Sequence, residues 1–279
     1  MLKLLGAKQL SSRDAAHVLR VLDADPVAAC MVAARVEEGG IDPRMIHGEL
    51  WSRGGPLESL CFSGANFVPL RGSIDDMRAF ADRACRTPAH VFVAGRPGRT
   101  DTAAVEMLEM DWGACPRGPA RPAAAGAGEY SAVPPGPPLV RQVRMHELEQ
   151  YLPAAVAMFI EEVGIDPRAN DGGRGYRRRV ANLIAAGRAW ARFDDGQVVF
   201  KAEVGSVSSR VGQIQGVWVH PMYRGHGFGA AGTATVAEAV IAEGRIASLY
   251  VNSFNTVARS AYARIGFSQV ATFATILLD

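Results

Sequence analysis

The stretch Gly216–Ala230, GVWVHPMYRGHGFGA, decides the reading of the chain. Val217, Trp218 and Val219 form the end of a strand, His220-Pro221 turns the chain, and Arg224, Gly225, Gly227 and Gly229 follow. An alanine-rich run with helical spacing continues from Ala230 to Ala242. The alternating glycines leave backbone N–H groups uncovered by side chains, where a helix start offers its own unpaired donors and positive dipole end. With Phe228 and His226 between them, they make an anion cradle suited to a pyrophosphate.

Two other readings of the same glycines compete. From Gly225 the spacing also fits the dinucleotide fingerprint G-x-G-x-x-A. That fingerprint runs its strand straight into the first glycine and places an acidic residue near the tip of the next strand. Here His220 to Arg224 intervene, and the next strand, Ser248 to Val251, ends in Asn252. A turn whose glycines serve only positive φ is the plainer reading, and it leaves Arg224 and the flanking strand and helix as coincidences. The stretch resembles the GNAT N-acetyltransferase superfamily, whose signature is a strand, V-x-P-x-x-R-G-x-G-x-G/A and a helix. Val219 to Ala230 match it throughout. A second block, LYVNSFNTVARSAYARIGF from Leu249 to Phe267, is similar to the family's later strand, its Asn-bearing helix with a tyrosine, and its terminal G-F turn.

The resemblance covers the chain from residue 140 onward. It implies an α/β (α+β) architecture, a GNAT fold whose central mixed, mostly antiparallel sheet is flanked by helices. Composition agrees with two ordinary globular lobes: 279 residues, 48% hydrophobic and 21% charged. A net charge of +2 is too small to make nucleic acid or a membrane the main partner. The opening MLKLLGAKQLSSRD has its apolar run broken by Lys3 and Lys8, so a cytoplasmic protein without a secretory signal is expected. Cys30, Cys61, Cys85 and Cys115 form no C-x-x-C pair, read as reduced buried thiols, and imply no metal site.

The expected division is an N-terminal α/β domain over 1–113, a Pro/Gly/Ala-rich linker over 114–139 and the acetyltransferase domain over 140–279. In the first part, Pro26–Glu38 reads as a helix capped by Asp25 and stopped at Gly39-Gly40. Strands follow at Glu49–Ser52, Glu58–Phe62 and Ala65–Leu70, with Pro69 confining the last to an edge or an end. Asp75–Cys85 is helical behind Ser73, His90–Ala94 is a strand, and Thr102–Met110 reads as a helix. This order echoes the second half, but Asp75 and Asp76 stand at the helix mouth and would repel a phosphate. The smaller lobe therefore reads as degenerate and GNAT-like, without its own coenzyme; an unrelated α/β domain is the competing reading.

In the second part, helices are expected over 146–163 and 176–186, then a meander of Ala189–Phe193, Gln197–Val204 and Gly212–Val219 turned first at Asp194-Asp195-Gly196. The signature helix, the strand Ser248–Val251, the helix Asn255–Ile265 and a last strand Ser268–Leu277 complete it.

The resemblance implies acetyl-coenzyme A as co-substrate and an amine as acceptor; a protein N-terminus, a lysine, a polyamine and a small amine all fit. Val217, Trp218 and Val219 would lie along the pantetheine arm like a neighbouring strand. Arg224, Gly225, His226, Gly227, Phe228, Gly229 and Ala230 would hold the pyrophosphate, and Asn255 the arm, unless Asn255 is simply a helix cap. Tyr262 takes the place of the family's tyrosine that protonates the departing thiolate, against a role as an amphipathic seal. A base is harder to find. Gly212–Val219 offers only Gln213 and Gln215, so Glu203 on the preceding strand is the candidate, against a solvated face with Lys201. His220 and His226 occupy variable positions of the signature and read as turn residues. Arg174, Arg177, Arg178 and Arg179 read as a solvated helix face or as attraction for an acidic acceptor or the coenzyme's 3′-phosphate. A non-enzymatic acyl-coenzyme A sensor is the alternative function.

Overall fold

A computed structural model describes residues 6–84, 92–95, 106–115, 140–169 and 171–277. The N-terminal part begins with β1 (Lys8–Gln9), α1 (Ala15–Asp23), α2 (Pro26–Gly39) and α3 (Pro43–Ile46). The meander β2 (Gly48–Ser52), β3 (Leu60–Gly64) and β4 (Asn66–Arg71) follows, then α4 (Ile74–Ala84) and β5 (Phe92–Gly95). Next come β6 (Glu106–Cys115) and β7 (Arg141–Gln142), then α5 (Leu148–Val163) and α6 (Arg174–Ala185). A second meander consists of β8 (Ala189–Asp194), β9 (Gln197–Val207) and β10 (Val211–Val219). The chain ends with α7 (Phe228–Ala242), β11 (Ile246–Asn252), α8 (Thr256–Arg264) and β12 (Ser268–Leu277). Among the described residues no helix is long and apolar enough to cross a membrane.

Local chemistry accounts for most boundaries. The Asp25 side chain accepts the Ala28 N–H at the start of α2, and Gly40, at φ 66°, ends it. Ser73 and Asp76 form a reciprocal box at the mouth of α4, Asp76 accepting the Ser73 N–H at 2.8 Å and Ser73 Oγ accepting the Asp76 N–H at 3.3 Å. Asp195 and Gly196, at φ 46° and 76°, supply the tight turn between β8 and β9. Pro69 pairs with Cys61 of β3 on one side, while the ladder of β4 to β5 spans only Asn66 and Phe67. Pro69 thus lies outside the part of β4 that is paired on both sides.

All the strands join one sheet, in the order β1-β2-β3-β4-β5-β12-β6-β11-β10-β9-β8-β7. The pairs are antiparallel except β4 with β5 and β10 with β11. Both halves therefore contain the same device, an antiparallel meander followed by a helical crossover to a parallel strand. The C-terminal half has a core on each face of its sheet. Tyr151, Ala155, Met158, Tyr176 and Val180 of α5 and α6 pack with Trp218 on one face. Val236, Ala237 and Val240 of α7 pack with Phe200, Ala202, Ile214 and Leu249 on the other.

One expectation is corrected. The segment read as a helix from Thr102 to Met110 is the strand β6 from Glu106, and residues 102–105 lie outside the described residues. β6 also takes up Ala114 and Cys115, the first residues of the expected linker; 116–139 lie outside the described residues. Helix-favouring Glu, Met and Leu are overruled because β6 pairs on both sides, Met110–Cys115 with β11 and Glu106–Ala114 with β12. The halves also meet through α2. Cys30 Sγ lies 3.6 Å from the Val211 carbonyl, and Glu37 accepts both the Ser209 N–H and its hydroxyl, at 2.6 and 2.7 Å.

This predicts that residues 140–279 alone do not fold cooperatively, because β11 and β12 lose the strand between them. On the order of ten ladder hydrogen bonds at about 1 kcal/mol each compare with the whole stability of a domain, about 5–15 kcal/mol. A cooperative thermal transition of that fragment, followed by circular dichroism, would refute it.

Candidate active site

The site begins where β10 and β11 part. Their parallel ladder runs from Val211 opposite Ile246 to Ile214 opposite Leu249 and stops there. Against β9, the register of β10 slips between Gln215 and Trp218. The slip is made at Gly216, at φ 56°, where a Cβ would meet Met158 Cε at 3.0 Å and Lys201 Nζ at 3.1 Å. Past Ile214 the β11-facing edge of β10 is therefore unpaired, and a polar, extended molecule can lie along it as a strand would.

The cradle opens beside that edge. Gly225 and Gly227 sit at φ 80° and 82°, and no atom lies within 4 Å of a Cβ built on either. The first hydrogen bond of α7 is from the Ala231 N–H to Gly227 O, at 3.0 Å. The N–H groups of Phe228, Gly229 and Ala230 precede it and are free of that ladder. Gly229 adds no bulk over them; a Cβ there would only touch Val219 Cγ2, at 3.5 Å.

The remaining signature residues brace the turn. Arg224 gives Nε to Val219 O at 3.0 Å and pairs through Nη2 with Glu161 Oε2 at 2.6 Å, tying the turn to α5. The pull on an anion thus rests on backbone donors and the helix dipole. His220 Nδ1 accepts the Met222 N–H, and its ring stands edge-on between Trp218 and Tyr223. The His226 ring nitrogen lies 2.8 Å from Arg224 O, and the Arg192 guanidinium lies 4.4 Å above the Phe228 ring. Asn255 caps α8, its Oδ1 accepting the Ala258 N–H at 3.1 Å. Tyr262, on α8, lines a cavity of about 350 Å³ with Leu249, Val251, Thr256 and Phe267.

Comparison with known proteins agrees with this geometry. Residues 199–275 match the family described as FR47-like protein, and residues 48–151 match a domain of unknown function, DUF4081. No curated protein matches the chain. Among solved structures, an acetyltransferase of the GNAT family from Colwellia psychrerythraea is 10% identical over 98% of this chain and 99% of its own, with a TM-score of 0.56. A tandem GNAT protein from the clavulanic acid biosynthesis pathway is 14% identical over 97% and 98%, at 0.52. A Drosophila protein is 11% identical over 98% of each chain, at 0.64. The C-terminal lobe has the GNAT fold. The two-lobed arrangement is also that of the tandem GNAT protein, which the chain matches along nearly its whole length.

Beneath the Gly216 bulge, the GNAT lobe buries charge. Lys201 and Glu203 are both wholly buried and pair at 2.8 Å, so the solvated reading of this face is overturned. Glu203 also faces Arg179 at 3.4 Å and accepts the Tyr151 hydroxyl at 3.5 Å. Burial raises its pKa, but Lys201, Arg179 and a Gln215 hydrogen bond outweigh it, and the net shift is downward. A carboxylate held ionised by two cations is a weak proton acceptor. Arg177 pairs with Glu149, and Arg179 lies over the Tyr176 ring, so this part of the arginine run is tied to its neighbours. Glu161 was not legible in the sequence. It joins Arg224 to the Trp218 Nε1–H, which it accepts at 3.1 Å, and no motif or spacing marks it.

Proposed function

We propose that the GNAT lobe transfers acetyl from acetyl-coenzyme A to an amine by direct attack on the thioester. The observation that carries this reading is the parting of β10 and β11 beside a glycine cradle with uncovered helix-start donors. The arm's amides would lie on the free edge of Val217–Val219 and the pyrophosphate on the donors of Gly227–Ala230. Asn255, whose Oδ1 caps α8, keeps an amide NH₂ for the arm. The similarity in fold to an acetyltransferase of the GNAT family points the same way.

The coenzyme supplies an activated acetyl group. The chain must then relieve the amine of a proton, polarise the carbonyl and protonate the sulfur. We assign the last of these to Tyr262. Burial, and after it the negative charge of Glu162, push its pKa up, so it stays protonated at neutral pH and can donate.

We assign coenzyme binding to this lobe alone. At the matching mouth in the N-terminal lobe, Asp76 fills the turn by bonding Ser73 and pairing with Arg53 at 3.3 Å. The test is a panel of primary amines incubated with the full chain and acetyl-coenzyme A, with free thiol followed over time. Amine-dependent thiol release is expected; its absence with every amine, despite saturable coenzyme binding, would leave a sensor instead.

A further inference from the structure

Glu203 is fixed by its partners, yet an attacking ammonium must still lose a proton. α5 runs along the parted half of β10. Its Tyr151 meets Glu203, Met158 packs at Gly216, and Glu161 reaches Trp218 and Arg224. Glu162 follows Met158 by one helical turn and so lies on nearly the same side of α5, beyond the bulge.

Tyr262 approaches from the opposite face, where α7 and α8 pack. The negative charge of Glu162 nevertheless acts on the Tyr262 phenol, adding to the rise that burial gives its pKa. It also acts on Tyr250 of β11 and Tyr176 of α6. A carboxylate on one face and a phenol on the other sense each other where the sheet is open, between β10 and β11.

We propose that Glu162 is the general base of this site and that Glu203, with Lys201 and Arg179, is the rigid floor beneath it. The inference rests on the acetyltransferase reading. The acceptor ammonium gives one proton to Glu162, which passes it to solvent, and the nitrogen lone pair then forms the bond to the acetyl carbon. The C–S bond breaks as the sulfur takes the Tyr262 proton. The second proton of the former ammonium restores the phenol through solvent, so one amide, one free thiol and one released proton result.

The chemistry around Glu162 suits the role. Glu162 is exposed on α5, open to the solvent that would take its proton; partial loss of water about the carboxyl raises its pKa, Lys201 opposes that rise, and Glu203 and Glu161 add to it. It makes no hydrogen bond or ion pair among the described residues, whereas neighbouring Glu161 makes two bonds. A base works only when deprotonated. Turnover should therefore fall as pH drops through a pKa above the ordinary carboxylate range.

The experiment has two arms on the full chain. In the first, Glu162→Gln is expected to lower turnover of an accepted primary amine by about 10²–10⁴ and to abolish the acidic limb of the pH–rate profile. Glu162→Asp should keep that limb, and coenzyme A should bind all three proteins alike. In the second, tyrosine ionisation is followed by ultraviolet absorbance. The transition absent from Tyr262→Phe should move to lower pH in Glu162→Gln. Wild-type turnover by Glu162→Gln with its acidic limb intact, or an unmoved Tyr262 transition, would overturn the proposal. A wild-type chain inactive with every amine would instead overturn the acetyltransferase reading on which it rests.

Discussion

Replacing Tyr262 with phenylalanine is expected to cut acetyl transfer by about 10²–10⁴, the usual range for loss of a general acid. The substitution removes one oxygen and leaves the ring, which meets Phe267 edge-on at 6.2 Å and lines the cavity against Leu249 and Val251. Coenzyme A should therefore bind as before. The loss should fall on kcat rather than KM, because the phenol meets the sulfur only as charge develops on it. The burial that raises the phenol pKa disfavours a bare thiolate equally, so the proton donor matters more here than it would in water. A Tyr262→Phe protein at the wild-type rate would pass the donor role to water or to the incoming ammonium.

Placing a side chain at Gly227 should remove coenzyme binding while leaving the lobe folded. Gly227 holds the left-handed conformation, at φ 82°, and a Cβ there meets no protein atom within 4 Å. Asparagine tolerates that conformation, so Gly227→Asn keeps the turn and sets a polar group over the amides of Phe228 and Gly229. Gly227→Val adds backbone strain of about 1–3 kcal/mol. Losing two charge-assisted hydrogen bonds, at about 1.5–3 kcal/mol each, weakens binding by about a hundredfold or more. Calorimetry giving unchanged coenzyme A affinity for a folded Gly227→Asn protein would show that nothing binds at the cradle.

The cradle was legible because it is local. Positive φ at Gly225 and Gly227, the proline turn at His220-Pro221 and the helix start lie within a dozen bonded neighbours, and each is a property of its own residues. The first hairpin of the meander was legible for the same reason, its tight turn being a property of Asp195 and Gly196 themselves. The sequence determined by itself that a strand, a glycine turn and a helix follow one another here, and that Tyr262 falls on a later helix with Asn255 at its cap.

The tertiary structure decided what depends on distant partners. β6 is built from residues that favour helix, and it becomes a strand only because β11 and β12 present free edges on both its sides. Lys201 and Glu203 alternate like a solvated strand face, yet Tyr151 of α5 and Arg179 of α6 close over them. That closure holds the Glu203 carboxylate in ion pairs with Arg179 and Lys201. Nothing in the sequence singles out Glu162, which stands in the last turn of α5. In the proposal above it acts together with Tyr262 across the place where β10 and β11 part after Ile214 and Leu249. Side-chain periodicity records which face a residue takes; it does not record where the sheet between the faces opens.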